Sequence, residues 1–478
     1  MQALGLHKKG WLYGISITFI CLCVWSIYAE NYLAVFLPPA LAIIYASVYH
    51  TKAVVLFVVF CTPFSLNLES MDLDASFGFY LPTEPILFGL TVLISLKWLQ
   101  SKTYNKQIIN HPISYAVIFY LAWIFITCFT SERPIVSLKF FISKLWFIIP
   151  LFFFGVRLFK KEKNIYLVQW LYLIPLAIVV LITLVRHYGH GFDQEIAHWI
   201  MSPFFKDHTS YGAIVAFFIP IAAVMLFRKG NTAATQLTLG SILTILIIGL
   251  VYSYTRAAWL SLLASFGVFL LFKLKIKFKY VLGVTLLGGI IALGFYNEIS
   301  MKLSKNDTDS SDNFSKHIES ISNISTDASN LERINRWKSA YKMFAERPFF
   351  GWGGGTYAFE YAPFQHSGDL TIISTNFGDR GNAHSEYLGA LAETGVIGLL
   401  SLLTLLVLVF YKASMLYIRL EDPNLKWMVL GIIMALTSYF AHGFLNNYLD
   451  TDKASVPIWL SFSAILMLDI KVKKQLSK

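Results

Sequence analysis

Of the 478 residues, 56% are hydrophobic and only 14% charged, against about 25% charged in a soluble globular chain. Too little charge remains to cover a water-exposed surface of this size, so lipid must solvate part of it, which excludes an ordinary cytosolic enzyme. The net charge of +11 comes from short basic clusters between apolar runs rather than from one stripe, which argues against a nucleic-acid partner.

In chain order, Lys8 and Lys9 precede an apolar run, as in a signal peptide, but another span follows and no small-residue cleavage site intervenes, so a retained first helix is expected. A bilayer crossing takes about 20 mainly apolar residues. Fourteen segments qualify, near 11–28, 32–49, 52–67, 84–99, 112–130, 137–156, 164–185, 208–227, 236–254, 257–272, 280–296, 386–411, 425–445 and 455–470. Several are short, and Arg256 separates the ninth from the tenth, so the expected fold is an all-α polytopic membrane protein with 12–14 transmembrane helices. Cys21, Cys23, Cys61 and Cys128 all lie inside apolar segments, which fits neither a disulfide framework nor a zinc site.

Lys and Arg are retained on the cytoplasmic side of short loops. With the N-terminus inside, the inner loops hold Lys97, Lys102 and Lys106, then Arg157, Lys160, Lys161 and Lys163. Arg228, Lys229, Lys412, Arg419, Lys426, Lys471 and Lys473 follow on the same side. The outer loops carry Glu69, Asp72, Asp74, Glu132, Asp193, Glu195, Asp450 and Asp452. This alternation predicts both termini in the cytoplasm. One loop departs from the short connectors: residues 297–384 form a long extracytoplasmic segment, and loops of that length carry function or fold on their own. The organisation is then 1–296 transmembrane helices with short loops, 297–384 a long periplasmic loop, and 385–478 C-terminal transmembrane helices.

The polar signals follow the same order. His187, His190, His198 and His208 border a smaller outer loop, about 186–207, without carboxylates spaced for a metal site. Tyr254-Thr255-Arg256-Ala257-Ala258-Trp259 stands at an outer span end. An Arg among apolar runs marks either a functional site or a snorkelling side chain in an aromatic belt. Asp307-x-Asp309-x-x-Asp312 lacks the turn Gly and final Glu of a calcium loop. The Asn306, Asn313 and Asn323 sequons indicate only exposure. Ser329-Asn330-Leu331-Glu332 resembles a capping box, and Ile334, Trp337, Tyr341 and Phe344 recur at helical spacing, which predicts an amphipathic helix near 331–346 lying at the membrane face. Its opening turns carry Arg333 and Arg336, where the helix dipole disfavours cations; either a bound anion relieves that conflict, or Glu332 and solvent do. The glycine run Gly351-Trp352-Gly353-Gly354-Gly355 has neither a preceding strand nor a following Lys-Ser/Thr, so it predicts close backbone packing rather than a phosphate loop. Finally Gly381-Asn382-Ala383-His384-Ser385-Glu386-Tyr387-Leu388 opens a transmembrane helix. His384 at its start is either a cap or a neutral imidazole able to take a proton, and Glu386 and Glu393, seven apart, share a face.

Taken together, Thr-Arg-Ala-Ala-Trp, then Glu-Arg-Ile-Asn-Arg-Trp-Lys-Ser-Ala and Pro-Phe-Phe-Gly-Trp-Gly-Gly-Gly-Thr-Tyr, then Ala-His-Ser-Glu-Tyr-Leu-Gly-Ala-Leu-Ala-Glu-Thr-Gly closely resemble the O-antigen ligase superfamily. That superfamily also holds O-antigen polymerases and bacterial protein O-oligosaccharyltransferases. The resemblance covers about 250–400. Ser385 departs from the common His-Asn form, and fourteen spans exceed the twelve usually ascribed to ligases.

The resemblance implies a lipid-donor glycosyltransferase of GT-C-like architecture in the bacterial inner membrane, working on the periplasmic face. It would move a glycan from undecaprenyl pyrophosphate to lipid A–core oligosaccharide. Arg256 and Arg333 map onto pyrophosphate-contacting positions and His384 onto the catalytic residue, with Arg336, Trp337, Trp352, Glu386, Tyr387 and Glu393 as neighbouring substrate-binding residues. No metal or cofactor is expected, since the arginines would replace a divalent ion. The alternatives are a polymerase or protein glycosyltransferase with the same donor, and a non-enzymatic polysaccharide transporter. A transporter would gather its charges near the bilayer midplane, whereas here they gather at one predicted face.

Overall fold

The computed structural model describes residues 2–29, 37–68, 79–101, 105–276, 328–365, 370 and 381–476. The predicted span 280–296, the Asp307–Asp312 stretch and the three sequons lie outside the described residues. Contacts divide the chain into residues 1–57 and 58–478. The first unit consists of α1 (Gln2–Tyr28), α2 (Leu37–Tyr49) and most of α3 (Thr51–Cys61). Ile17, Ile20, Trp25, Leu41, Ile44 and Tyr45 are exposed there, an outward apolar surface suited to lipid.

In the second unit, α3 gives way at Pro63 to a 3₁₀ turn, Thr62–Phe64, and then to β1 (Leu66–Asn67), which pairs antiparallel with β2 (Tyr80–Leu81). The predicted span 52–67 is therefore cut short. Lys453 satisfies the carbonyls this ending exposes, donating to Thr62 O at 2.5 Å and Ser65 O at 2.8 Å. After β2 come α4 (Thr83–Ser101), α5 (Lys106–Ile109), α6 (Pro112–Phe129) and α7 (Pro134–Ile148). Pro150 has no N–H for an α-helical ladder, and α7 continues as a π turn (Ile149–Phe153) and a 3₁₀ turn (Gly155–Lys160). Next are α8 (Lys163–Tyr188), α9 (Gln194–Ile200), α10 (His208–Leu226), α11 (Ala233–Val251) and α12 (Arg256–Lys273). The remainder is α13 (Ala328–Glu346), α14 (Tyr357–Glu360), α15 (Glu386–Arg419), α16 (Pro423–His442) and α17 (Asp452–Leu476).

Among the described residues, nine helices are long and apolar enough to cross a membrane: α6, the α7 run, α8, α10, α11, α12, α15, α16 and α17. Ser16–Tyr28, Leu37–Tyr49 and Thr51–Phe64 are shorter apolar helices. The chain is thus an all-α, multi-pass membrane protein, apart from the two-residue strands that the periodicity did not reveal. Among these nine helices, α17 is the most buried, with 89% of its apolar window covered, and α11 and α12 are the least, with 28% and 22%.

Caps set where these helices start. His111 accepts from Ile113 N–H ahead of Pro112, Asp207 and Ser210 form a reciprocal capping box, and Ser385 accepts from Leu388 N–H. Inside α15, Gly395 has φ 69° and ψ −173°, so the long helix is two helices joined at a break.

Candidate active site

The break in α15 builds the floor of the site. It frees carbonyls that the glycine run then takes up: Trp352 N–H donates to Ala392 O at 3.0 Å and Gly353 N–H to Glu393 O at 2.7 Å. Val396 N–H returns to Pro348 O at 2.9 Å, and Trp123 Nε1 donates to Thr394 O at 2.8 Å. The backbones approach so closely that a Cβ on Gly351, at φ 69°, would overlap the Glu393 carbonyl. The run is thus a packing device, as its sequence context predicts. Arg347 pairs with Glu132 at 2.7 Å and covers the Trp352 ring, clamping the segment to the α6–α7 turn.

On this frame four elements bring polar residues to one end of the bundle. Arg256 is the first residue of α12, and the preceding Thr255 hydroxyl donates to His208 O at 2.8 Å, fixing the starts of α10 and α12 side by side. Arg256 stands in the field of Arg333, from the second turn of α13. Arg333 is held below its usual range by burial, against which the charges of Tyr448 and Asp207 pull. Asp207 itself is lowered: burial pushes its carboxyl up, but the Ser210 N–H and the Thr209 hydroxyl, each at 2.7 Å, outweigh it. Asp207 therefore faces Arg333, which in turn faces Arg256, beside two helix N-termini, and this surplus of cation favours a bound anion.

His384 sits next to these charges. Its φ of 47° is left-handed, unusual for a residue with a Cβ, and its N–H donates to Asn382 Oδ1 at 3.0 Å. Trp337 Nε1 donates to the His384 carbonyl at 3.3 Å. Asn446 Nδ2 donates to His442 Nε2 at 3.1 Å, which turns Asn446 Oδ1 toward His384 Nδ1 at 3.5 Å. That orientation selects the tautomer protonated at Nδ1 and leaves a lone pair on Nε2. Burial first, then the Arg333 charge, pushes His384 down to about 4.

Beside His384, and lined by its neighbours Ala383 and Ser385, opens a cavity of about 200 Å³. Glu386, Glu393, Lys144, Asp450 and Tyr120 contribute its polar wall. Glu386 Oε1 accepts from the Tyr439 hydroxyl at 2.6 Å and from the N–H groups of Tyr448 and Leu449 at 2.8 and 2.9 Å, tying the 443–451 loop to α15. Lys144 pairs with Asp450 across the cavity edge.

The structure therefore brings Arg256, Arg333 and His384 together and sets Glu386 and Glu393 in the adjoining cavity, on the shared face that their spacing predicts. The other expected residues are engaged elsewhere. Arg336 is 4% exposed, bonded to Glu332 at 2.5 Å and stacked on the Tyr361 ring at 4.0 Å. The Tyr387 hydroxyl donates to Phe440 O, and Trp352 Nε1 to Met343 O. Trp337 supports His384 through its backbone. Of the apolar stripe of α13, Tyr341 is 63% exposed and Ile334, Trp337 and Phe344 are half-buried, while the buried face mixes Glu332, Asn335, Arg336 and Ser339 with Ala340 and Met343.

Asp207, His442, Asn446 and Tyr448 complete the site and escaped the sequence reading. The signal available was the polar run His442-x-x-x-Asn446-Asn447-Tyr448 between two apolar spans.

Fold and site define a multi-pass helical membrane protein with a cationic, imidazole-bearing site at one end of its bundle. Residues 240–403, about a third of the chain, match the family model described as O-antigen ligase, which bears out the resemblance of this motif-bearing stretch to the O-antigen ligase superfamily. No curated protein matches the chain. Arg256, Arg333 and His384 all fall inside the matched stretch, whereas Asp207, Asn446 and Tyr448 lie outside it.

Proposed function

We propose that the protein is an inverting glycosyltransferase of the O-antigen ligase type. It moves a glycan from undecaprenyl pyrophosphate to lipid A–core oligosaccharide on the periplasmic face of the inner membrane. The observation that carries this reading is the meeting of Arg256, Arg333 and the oriented His384–Asn446–His442 chain at one bundle end. The family match supports ligase- or polymerase-like chemistry on a lipid-linked glycan.

In this mechanism the acceptor hydroxyl oxygen attacks the anomeric carbon and its proton passes to His384 Nε2. The bond from that carbon to the phosphate oxygen breaks, and the electron pair leaves with the lipid pyrophosphate. Arg256 and Arg333 stabilise the departing charge, the role a divalent ion fills in many glycosyltransferases. A single displacement inverts the anomeric centre. Donor binding also prepares the base. The Arg333 charge that depresses His384 is cancelled by the incoming pyrophosphate, so the imidazole regains basicity when its partner is in place.

Deleting the gene and resolving the cell's lipopolysaccharide on a gel tests this reading. A ligase mutant shows bare core with lipid-linked glycan accumulating. Core bearing a single repeat would mark a polymerase instead, and an unchanged ladder would defeat both.

A further inference from the structure

The cavity beside His384 has no part in the chemistry derived above. Its 200 Å³ or so equals the share of about six or seven waters at ~30 Å³ each, which suits one sugar ring. Phe140 and Tyr357 give it aromatic walls. Glu386 takes its three side-chain hydrogen bonds on Oε1, leaving Oε2 without a protein donor among the described residues. Two further polar atoms of the wall are available. Tyr120 is 7% exposed and lines the cavity, and its hydroxyl bonds no described residue. Asn447 Oδ1, in the same wall, is buried without a partner. Glu386 and Tyr120 line the cavity and Asn447 Oδ1 is buried in its wall without a partner, so the three together offer hydrogen bonds to a ligand that carries hydroxyls.

The wall chemistry narrows the ligand. Carboxylates and an amide oxygen accept from hydroxyls, while aromatic rings pack the C–H face of a pyranose. The one cation in the lining, Lys144, is already paired with Asp450, so the cavity offers no free cation to a phosphate or uronate group. The pyrophosphate is thereby confined to the arginine side of His384. We propose that the cavity seats the acceptor's reacting sugar, a neutral or amino sugar, so that His384 stands between an anion site for the donor and a polyol site for the acceptor. This rests on the glycosyl transfer proposed above and adds which substrate lies on which side.

The test uses the full-length protein in nanodiscs and saturation-transfer NMR with the methyl glycosides of glucose, glucosamine and glucuronic acid. The first two should bind and the third should not. Ala390→Leu puts bulk into the cavity wall and should abolish binding. The isosteric Tyr120→Phe should weaken it about fivefold, the worth of one neutral hydrogen bond. In transfer assays both variants should raise the acceptor KM and leave the donor KM unchanged. Absence of glycoside binding, binding that survives both substitutions, capture of the glucuronide, or a rise in donor KM instead would overturn the proposal. Glycoside binding without transfer to any acceptor would keep the cavity and defeat the glycosyl-transfer reading. Should Ala390→Leu fail to fold, Tyr120→Phe decides alone.

Discussion

At the scale of single residues, the proposed mechanism assigns proton transfer to His384 and anion binding to the two arginines, and substitution separates the two. His384→Ala should lower turnover by about 10²–10⁴-fold, the usual worth of a general base, with donor binding nearly unchanged. Arg256→Ala or Arg333→Ala should weaken binding of a lipid pyrophosphate as well as turnover, and Lys should restore little, because a point charge cannot make a two-pronged phosphate contact. Near-normal transfer by the His384 variant would remove it as the base. The pH profile carries a second check. A base must be neutral, so rate falls as pH drops through its pKa. In the free enzyme that limb should lie near 4 and appear in kcat/KM for the donor. In kcat, with pyrophosphate cancelling the Arg333 charge, it should move up but stop short of the ordinary value of about 6.5, because burial, the larger cause, persists. Coincident limbs would show that the donor does not sit against Arg333. These three residues were legible because each is costly where it stands: an Arg between apolar runs, an Arg in a helix's opening turns, a His at a span's start. Asn446 and Asp207 were not, because what gives them a role is a partner far away in sequence, His384 for the first and Arg333 for the second.

At the scale of elements, the break at Gly395 lets the glycine run dock on α15 and so fixes the height of Glu393 and the start of the cavity. An alanine at Gly395 would sit at φ 69° and ψ −173°, a region essentially reserved for glycine, at a cost of roughly 1–3 kcal/mol, and its Cβ would press on the Phe349 carbonyl. Gly395→Ala should therefore lower the thermal midpoint in detergent markedly. Gly389→Ala, in the first segment of the same helix, meets only the Ala383 Cβ at 3.6 Å and should be neutral or stabilising by up to about 1 kcal/mol through helix propensity. Equal midpoints for the two variants would show that the break is not held by Gly395. Helix α13 was predicted closely in extent, Ala328–Glu346 against 331–346, because periodicity is local, although it begins before Ser329 and Glu332 bonds Arg336 instead of closing a capping box. The polar residues on its buried face were not, since an apolar stripe says which side is greasy but not whether lipid or protein covers it. The break in α15 was hidden for the same reason: one glycine in an apolar run costs a helix little, and only the docked segment 348–353 reveals its conformation.

At the scale of the whole molecule, charge sorts along the bundle. The end bearing Arg256, Arg333 and His384 also carries Glu132, Asp193, Asp207 and Asp450. At the opposite end Lys229 N–H bonds Asn424, Lys471 pairs with Glu162, and Lys412, Lys473 and His111 converge on Asp469. Lys and Arg in short loops stay in the cytoplasm, so this sorting supports a site on the outer face, where a lipid-linked glycan and its acceptor would meet. Impermeant maleimide tests the orientation in a background with Cys21, Cys23, Cys61 and Cys128 replaced. Glu346→Cys, at the exposed end of α13, should react in cells whose outer membrane alone has been opened. Lys161→Cys and Glu421→Cys, both exposed at the opposite end, should react only after the inner membrane is breached. The helices α10 and α16 run antiparallel between these ends, with His208 and His442 near the arginines and Lys229 and Asn424 bonded at the far side. A reversed labelling pattern would therefore turn the whole site toward the cytoplasm, and the proposed periplasmic reaction would fall with it.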